Sequence, residues 1–358
     1  MACYHPLKAF PIGLTDAGKT KYKIVPFAVH HIEVQQNGTF IPVSTDFLSP
    51  YARKNIVEFI QIPCGQCIGC RLEYSRQWAN RCMLELEYHD SAYFVTLTYD
   101  DDHVPVSYYG DPDTGLATPS LTLRKRDFQL FMKRLRKAFP DDHIRFFAAG
   151  EYGSQTFRPH YHAIIFGLHL DDLTLYKKSP DNKFSYFNSA SLQRCWSVIE
   201  SRKNSTTPLA VPIGFAVVAP VTWETCAYTA RYVMKKLKGP EAAFYEEFNI
   251  EPPFTLMSRK PGIARQWYED HPDCYDYEYI NVSTEQGGRK FRPPKYFDSL
   301  LEIDTPDKLL DLKEPRRRMA EASKAAKLES TTMSYLELLQ VEENNKMDKL
   351  KKLERSLE

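Results

Sequence analysis

No stretch of this 358-residue chain is apolar for long enough to span a bilayer. Its first residues, Met1-Ala2-Cys3-Tyr4-His5-Pro6, lack the basic segment and apolar core of a secretory signal. The expectation is a cytoplasmic protein with no membrane partner. Net charge is almost absent: 47 Lys and Arg stand against 46 Asp and Glu, leaving +1. The whole-chain balance therefore does not announce a nucleic-acid binder, and any basic surface must be local. The eight cysteines belong, in that compartment, to thiols or metal sites rather than disulfides.

The length suits one large domain or two ordinary ones, and 43% hydrophobic residues suffice for a core. Aromatic content is 13%, with 22 Tyr and 21 Phe. These rings serve equally as core or as surfaces on which bases stack.

Residues 1 to about 60 read as irregular, with short strand-like pieces. Arg71 to Tyr88 reads as a helix. Ala92 to Tyr99, rich in β-branched and aromatic residues, reads as a strand. Asp100 to Pro119 reads as a loop. Thr122 to Phe139 is an amphipathic helix with a stripe of Leu123, Phe128, Phe131, Met132, Leu135 and Phe139, stopped by Pro140. Its other face is basic, and Arg124, Lys125, Lys133, Arg134 and Lys137 are candidate phosphate contacts. Two strands end at Gly150 and Gly167. A poorly patterned insertion covers 168–212. Ile213 to Val221 reads as a strand, and Thr222 to Leu237 as a helix with Thr222 at its N-cap. The order gives an α+β fold: a split βαβ antiparallel sheet covered by helices on one face. The tail from Asp304 is charged and lacks glycine. It reads as exposed helices for a partner, or as a solvated segment. The expected division is 1–90, 91–303 and 304–358.

The run Arg158-Pro159-His160-Tyr161-His162-Ala163-Ile164-Ile165-Phe166-Gly167 carries the chemistry. In a strand, side chains alternate, so His160 and His162 share a face and can share one metal ion. Glu151 ends the preceding apolar run. If the two strands pair, a carboxylate joins two imidazoles. With water and a phosphate oxygen this set suits Mg²⁺ or Mn²⁺, and Zn²⁺ also accepts it. Downstream, Tyr228 and Tyr232 lie four apart on one helix face, about 6 Å along the axis. Either they pack as buried tyrosines, or they serve as alternating nucleophiles. Arg231, Lys235 and Lys236 can hold a phosphate beside them, and Arg158 is a further candidate contact. Separately, Cys64, Cys67 and Cys70 form CxxCxxC, which favours structural Zn²⁺ over a disulfide. The fourth ligand is Cys3, with Cys82 and His5 as alternatives. An iron–sulfur cluster is the other reading, although no Cys-Pro partner follows at the usual spacing.

The blocks Phe94 to Tyr99, Gly150-Glu151-Tyr152-Gly153, Arg158-Pro159-His160-Tyr161-His162, Tyr228 with Tyr232, Cys64 to Arg71, and Met257-Ser258-Arg259-Lys260-Pro261-Gly262-Ile263 resemble, in this order, the HUH endonuclease superfamily. More closely they resemble the rolling-circle replication initiators of the microviruses, especially the gokushovirus group. The resemblance spans roughly residues 60 to 265. It implies an RRM-like sheet with the histidines on a central strand. It implies a site-specific endonuclease and strand transferase that nicks single-stranded origin DNA, forms a 5′-phosphotyrosine and later rejoins strands. By position His160, His162 and Glu151 match the metal ligands, and Tyr228 and Tyr232 the twin nucleophiles. Arg231 stands where a lysine often precedes the second tyrosine; it keeps the charge but stays protonated. Origin DNA, a host helicase and a host polymerase are the implied partners, in the bacterial host cytoplasm. A transposase or relaxase of the same chemistry, a non-catalytic DNA-binding module and a redox protein are the alternatives.

Overall fold

A computed structural model of the chain describes residues 3–354 apart from 17, 112, 154, 180–183, 201–208, 232–238 and 285–286. The chain divides into two compact units, Met1–Glu73 with Asp311–Glu358, and Tyr74–Leu310.

The Tyr74–Leu310 unit is built on a seven-stranded sheet. In chain order its strands are β1 (Ala92–Tyr99), β2 (Arg145–Tyr152), β3 (Pro159–Phe166), β4 (Leu173–Lys178), β5 (Ser185–Ser189), β6 (Gly214–Pro220) and β7 (Phe254–Met257). They lie in the order β4-β5-β6-β1-β3-β2-β7, every neighbouring pair antiparallel. Three helices pack on it: α1 (Ile68–Leu86, in this unit from Tyr74), α2 (Lys125–Ala138) and α3 (Trp223–Arg231).

Helices cover both faces of the sheet, which corrects the expected one-sided cover. The reason lies in β3, whose residues are apolar in both directions. Tyr161, Ala163 and Ile165 meet Phe128, Phe131, Met132 and Leu135 of α2. Ile164 and Phe166 meet Trp78, Cys82 and Met83 of α1 and Cys226, Ala227 and Ala230 of α3. A strand buried on both faces reads as a continuous apolar run, and each face needs its own cover.

α2 starts at Lys125, later than its apolar stripe suggests, because Thr122 to Arg124 are held by tyrosines. Tyr152 Oη accepts from the Leu123 amide at 3.0 Å, and Tyr161 Oη accepts from the Arg124 amide at 3.1 Å. Asp127 in the first turn and Arg136 and Lys137 in the last complement the helix dipole.

The expected loop after Tyr99 contains a hairpin, Val106–Gly110 with Ala117–Leu121. The insertion is also more ordered than its pattern. It supplies β4 and β5, a short helix Ala190–Cys195 capped by Ser189, and a ribbon Ser197–Glu200 with Leu209–Pro212. Trp196 anchors it, fully buried, with Nε1 donating to the Thr98 carbonyl at 2.7 Å.

In the other unit the irregular reading of residues 1 to 60 gives way to two three-stranded antiparallel sheets. One is Thr20–Pro26, Leu7–Leu14 and Ile60–Ile62; the other is Phe40–Val43, His31–Val34 and Lys54–Ile56. Phe10, Val25, Val29, Ile32, Val34 and Ile56 fill the space between them. Residues Gly13 to Thr20 spell G-x-x-x-x-G-K-T, the letters of a phosphate-binding P-loop. Here they join two antiparallel strands with Leu14 opposite Thr20. A P-loop needs a helix N-terminus behind its glycines, and a strand follows instead. The tail forms two helices, Pro306–Glu329 and Tyr335–Glu354. Ser334 and Glu337 cap the second reciprocally, and its Leu339 is buried against Tyr4, Cys67 and Cys70. No described helix is long and apolar enough to cross a membrane.

Candidate metal and nucleophile site

β2 and β3 pair so that Glu151 stands opposite His160. Directly opposed residues share a face, so the carboxylate joins both imidazoles. Glu151 Oε1 lies 2.7 Å from His160 Nε2 and 3.4 Å from His162 Nε2. Ligand atoms from the three side chains fall within 4.8 Å of one another. Glu151 and His162 are buried, while His160 is half-buried, so the cluster has one open side.

Each ring is oriented through its other nitrogen. His160 Nδ1 lies 3.1 Å from the Arg158 carbonyl, and His162 Nδ1 lies 3.1 Å from Thr96 Oγ1. A carbonyl only accepts, so His160 carries its proton on Nδ1 and turns Nε2 toward the carboxylate. Metal-ligating histidines are held in just this manner. Two electron-rich atoms 2.7 Å apart call for a proton or a cation between them. The donor set of two imidazoles and one carboxylate fits a divalent cation.

α3 brings Tyr228 to the same place. Thr222 and Thr225 fix its start, the Thr225 amide donating to Thr222 Oγ1 at 3.2 Å and the Thr222 amide to Thr225 Oγ1 at 2.9 Å. Ser75 Oγ donates to the Ala227 carbonyl at 3.1 Å. The Tyr228 ring meets His162 edge-on with centroids 5.3 Å apart, and Phe94 at 6.1 Å. Phe94 in turn stacks on His162 at 5.6 Å. Tyr228 is 43% exposed, so its ring is anchored at the site while reachable from solvent. Tyr232, Lys235 and Lys236 lie outside the described residues.

The basic candidates divide. Arg124, Lys125, Lys133 and Lys137 are exposed on α2, which packs on the opposite face of the sheet from the histidines. Arg134 is half-buried and donates through Nε to the Cys195 carbonyl at 2.7 Å, pinning the insertion. Arg158 is at the histidine end of β3; its Nη2 donates to the Tyr99 carbonyl at 3.0 Å, and Nη1 pairs with Asp101 at 2.5 Å. Arg231 is exposed at the end of α3. Thr96 is a residue the sequence reading passed over. Its only signal is the strand register, which sets it opposite His162.

The second cluster gathers Cys3 with Cys64, Cys67 and Cys70, their sulfurs within 4.8 Å of one another. The alternatives for the fourth position go elsewhere: Cys82 is buried in the core of the sheet unit, and His5 Nε2 is 2.6 Å from Glu343. Backbone amides of Cys64, Tyr4 and Cys67 point at the sulfurs of Cys3, Cys67 and Cys64 at 3.2, 3.3 and 3.3 Å. Burial pushes the Cys3 thiol up to about 11. Burial also acts to raise Cys67, but hydrogen bonds from the Cys70 and Tyr4 amides and the neighbouring thiols outweigh it and bring Cys67 down to about 7. A four-sulfur set of this kind suits a tetrahedral metal.

A family model described as Replication-associated protein ORF2 matches residues 92–237, a span from β1 past α3. Replication-associated protein ORF2 of Spiroplasma virus 4 is 30% identical over 341 residues, covering 93% of this chain and 97% of that protein. Replication-associated protein VP4 of Bdellovibrio phage phiMH2K is 27% identical over 257 residues, 70% of each chain. Replication-associated protein ORF4 of Chlamydia phage 1 is 28% identical over 249 residues, 67% of this chain and 53% of that one. No solved structure matches the chain.

Proposed function

The chain belongs to the family of replication-associated proteins of microviruses, and from that premise we propose that it starts rolling-circle replication as an HUH-type endonuclease. It nicks single-stranded origin DNA, keeps the 5′ end as a phosphotyrosine and frees a 3′ hydroxyl. Later it rejoins the strand and releases a circular genome. The observation that carries this reading is Tyr228, half exposed and edge-on to His162 beside a second imidazole and a carboxylate.

In the nicking step Tyr228 Oη attacks the phosphorus and the bond from phosphorus to the 3′ oxygen breaks. The phenol gives up its proton and the departing oxygen gains one. One phosphoester replaces another, so bond energy is retained and the 3′ hydroxyl can reverse the reaction. A phenol titrates near pH ~10 and is a weak nucleophile at neutrality, so the site must supply charge. A divalent cation, Mg²⁺ or Mn²⁺, held by His160, His162 and Glu151 would supply it at the phosphate. Thr96 and the Arg158 carbonyl keep both imidazoles aimed for that role. Tyr232 is the second nucleophile in this scheme, with Lys235 and Lys236 on the phosphate. Arg158 and Arg231 contact DNA near the site. Arg124, Lys125, Lys133 and Lys137 form a separate basic face for flanking DNA, with Arg134 among them chiefly as a brace. Zn²⁺ occupies the four-cysteine cluster as a structural ion. The HUH domain is assigned to residues 91–303, and a host helicase and polymerase complete the machinery in the host cytoplasm.

The test uses labelled single-stranded oligonucleotides tiled over the genome that encodes the chain. A protein–DNA adduct that forms with Mn²⁺, disappears with EDTA and is lost in His160→Ala and His162→Ala is the expected result. Adducts that persist in EDTA, or DNA binding with no adduct on any oligonucleotide, would refute the reading.

A further inference from the structure

One row of directly paired residues crosses four adjacent strands: Glu151 on β2, His160 on β3, Thr98 on β1 and Phe215 on β6. Paired residues share a face, so Phe215 rises from the side that carries the carboxylate and the imidazoles. Strands lie about 4.8 Å apart, which sets Phe215 two spacings, or about 10 Å, from His160. It is 64% exposed, on an interior strand. Elsewhere on this face Phe94, Ile164 and Ala219 are buried under α1 and α3.

The backbone beneath Phe215 is held tightly. The Gln193 carboxamide donates to the Gly214 carbonyl at 2.8 Å and accepts from the Ala216 amide at 3.0 Å, bracketing the residue. On the other side Trp196 clamps Thr98. Gly214 has φ +151°, and a Cβ there would lie 1.9 Å from the Thr98 carbonyl oxygen. A large exposed ring is thus presented rigidly, in line with the candidate metal site. A cation stands nearby, since Arg158 donates to Tyr99, the residue after Thr98.

We propose that the Phe215 ring is a stacking platform for a base of single-stranded DNA next to the scissile phosphate. The proposal rests on the nicking reading above and says where the strand lies. An unpaired base offers a π-face to the ring, and its phosphate offers charge to Arg158 and to the histidine–carboxylate cluster. A duplex keeps its base faces stacked and gives the ring nothing to cover. An apolar peptide would cover the ring but would not use the cation and the metal-binding row beside it.

The test measures binding of a short fluorescein-labelled oligonucleotide of mixed sequence, single-stranded or annealed to its complement, in EDTA so that no cleavage intervenes. Phe215→Ala and Phe215→Leu lower single-strand affinity about 5- to 150-fold. Phe215→Trp stays close to wild type, and duplex affinity is unchanged in all three. Unchanged single-strand binding by Phe215→Ala overturns the platform. So does full single-strand affinity of Phe215→Leu, which would mean apolar contact rather than stacking. Photocrosslinking of a 5-iodouracil oligonucleotide to wild type should map to the peptide holding Phe215; a map that avoids this peptide overturns it independently. Adduct formation by wild type with Mn²⁺ is scored separately. An adduct without a Phe215 effect removes the platform alone, and a Phe215 effect without an adduct removes the nicking reading alone.

Discussion

Thr96→Val is the sharpest probe of how the histidine pair is held. Thr96 Oγ1 meets His162 Nδ1 at 3.1 Å, and the two residues face each other across β1 and β3. Valine keeps the shape and the β-branched preference for a strand while deleting the oxygen. The fold should lose only the net value of one hydrogen bond, about 0.5–1.5 kcal/mol. Metal affinity should suffer more, because the threonine oxygen fixes which nitrogen of His162 keeps the proton. Removing such an orienting partner typically costs roughly 10- to 100-fold in affinity, or about 1.4–2.8 kcal/mol. Titration with Mn²⁺, followed by the electron paramagnetic resonance of the free aqueous ion, reads the constant directly. The four cysteines do not confuse it, since thiolates select softer ions. Thr96→Ser should restore most of the affinity. If Thr96→Val binds Mn²⁺ as tightly as wild type, or more tightly, the assignment of Thr96 as the group that aims His162 is wrong.

Three further outcomes are expected. Elemental analysis should find one zinc per chain as purified, and Cys67→Ser should lose it; the released metal carries about 10–16 kcal/mol of apparent binding free energy in small zinc modules, so Leu339 and Tyr4 should lose their packing and new protease sites should appear in 335–354. Zinc at one equivalent in Cys67→Ser would contradict this. Gly214→Ala should destabilise by at least about 3 kcal/mol, because strand β6 must part from the Thr98 carbonyl and the residue keeps a φ costly for alanine; an unaltered urea midpoint counts against that geometry. Burial acts to raise the carboxyl of Glu85, but bonds with His89, Arg145 and the Ala264 amide overcome it and hold the group below the usual carboxylate range. A lowered folded value means the stabilisation is present above the unfolded value, near pH ~4, and vanishes as pH falls through the folded one. Glu85→Gln should therefore cost roughly 3–5 kcal/mol at neutral pH and much less in acid; an equal gap at both pH values argues the carboxylate charge is irrelevant.

The residues that declare themselves in the sequence are those whose message is local. Strand Ala92–Tyr99 has the same bounds in sequence and structure, because β-branched and aromatic side chains alternate over its length. His160, His162 and Glu151 come together because a period of two and one antiparallel pairing suffice to unite them. The cysteines Cys64, Cys67 and Cys70 gather Cys3 in the same way, by spacing within one turn and a chain end returning to it. Non-local features stay hidden. β4 reads Leu-Thr-Leu-Tyr-Lys-Lys and is mostly exposed, so nothing in its pattern says that it edges a sheet. Two-sided helix cover follows from Ile164 and Phe166 lying opposite Ala163 and Ile165, a fact of alternation in a run that looks uniformly apolar. Thr96 and Phe215 acquire meaning only from register, since each needs a partner on another strand to show which face it joins.

The most direct test of the central claim is peptide mapping of the covalent DNA adduct. Wild type and Tyr228→Phe are treated with Mn²⁺ and the cleaved oligonucleotide, digested, and sequenced by mass spectrometry. The account predicts nucleotide mass on Tyr228 in wild type, with adduct in the variant confined to the Tyr232 peptide or absent. Nucleotide mass on neither tyrosine, or an undiminished adduct on a residue outside α3 and 232–238, would contradict it.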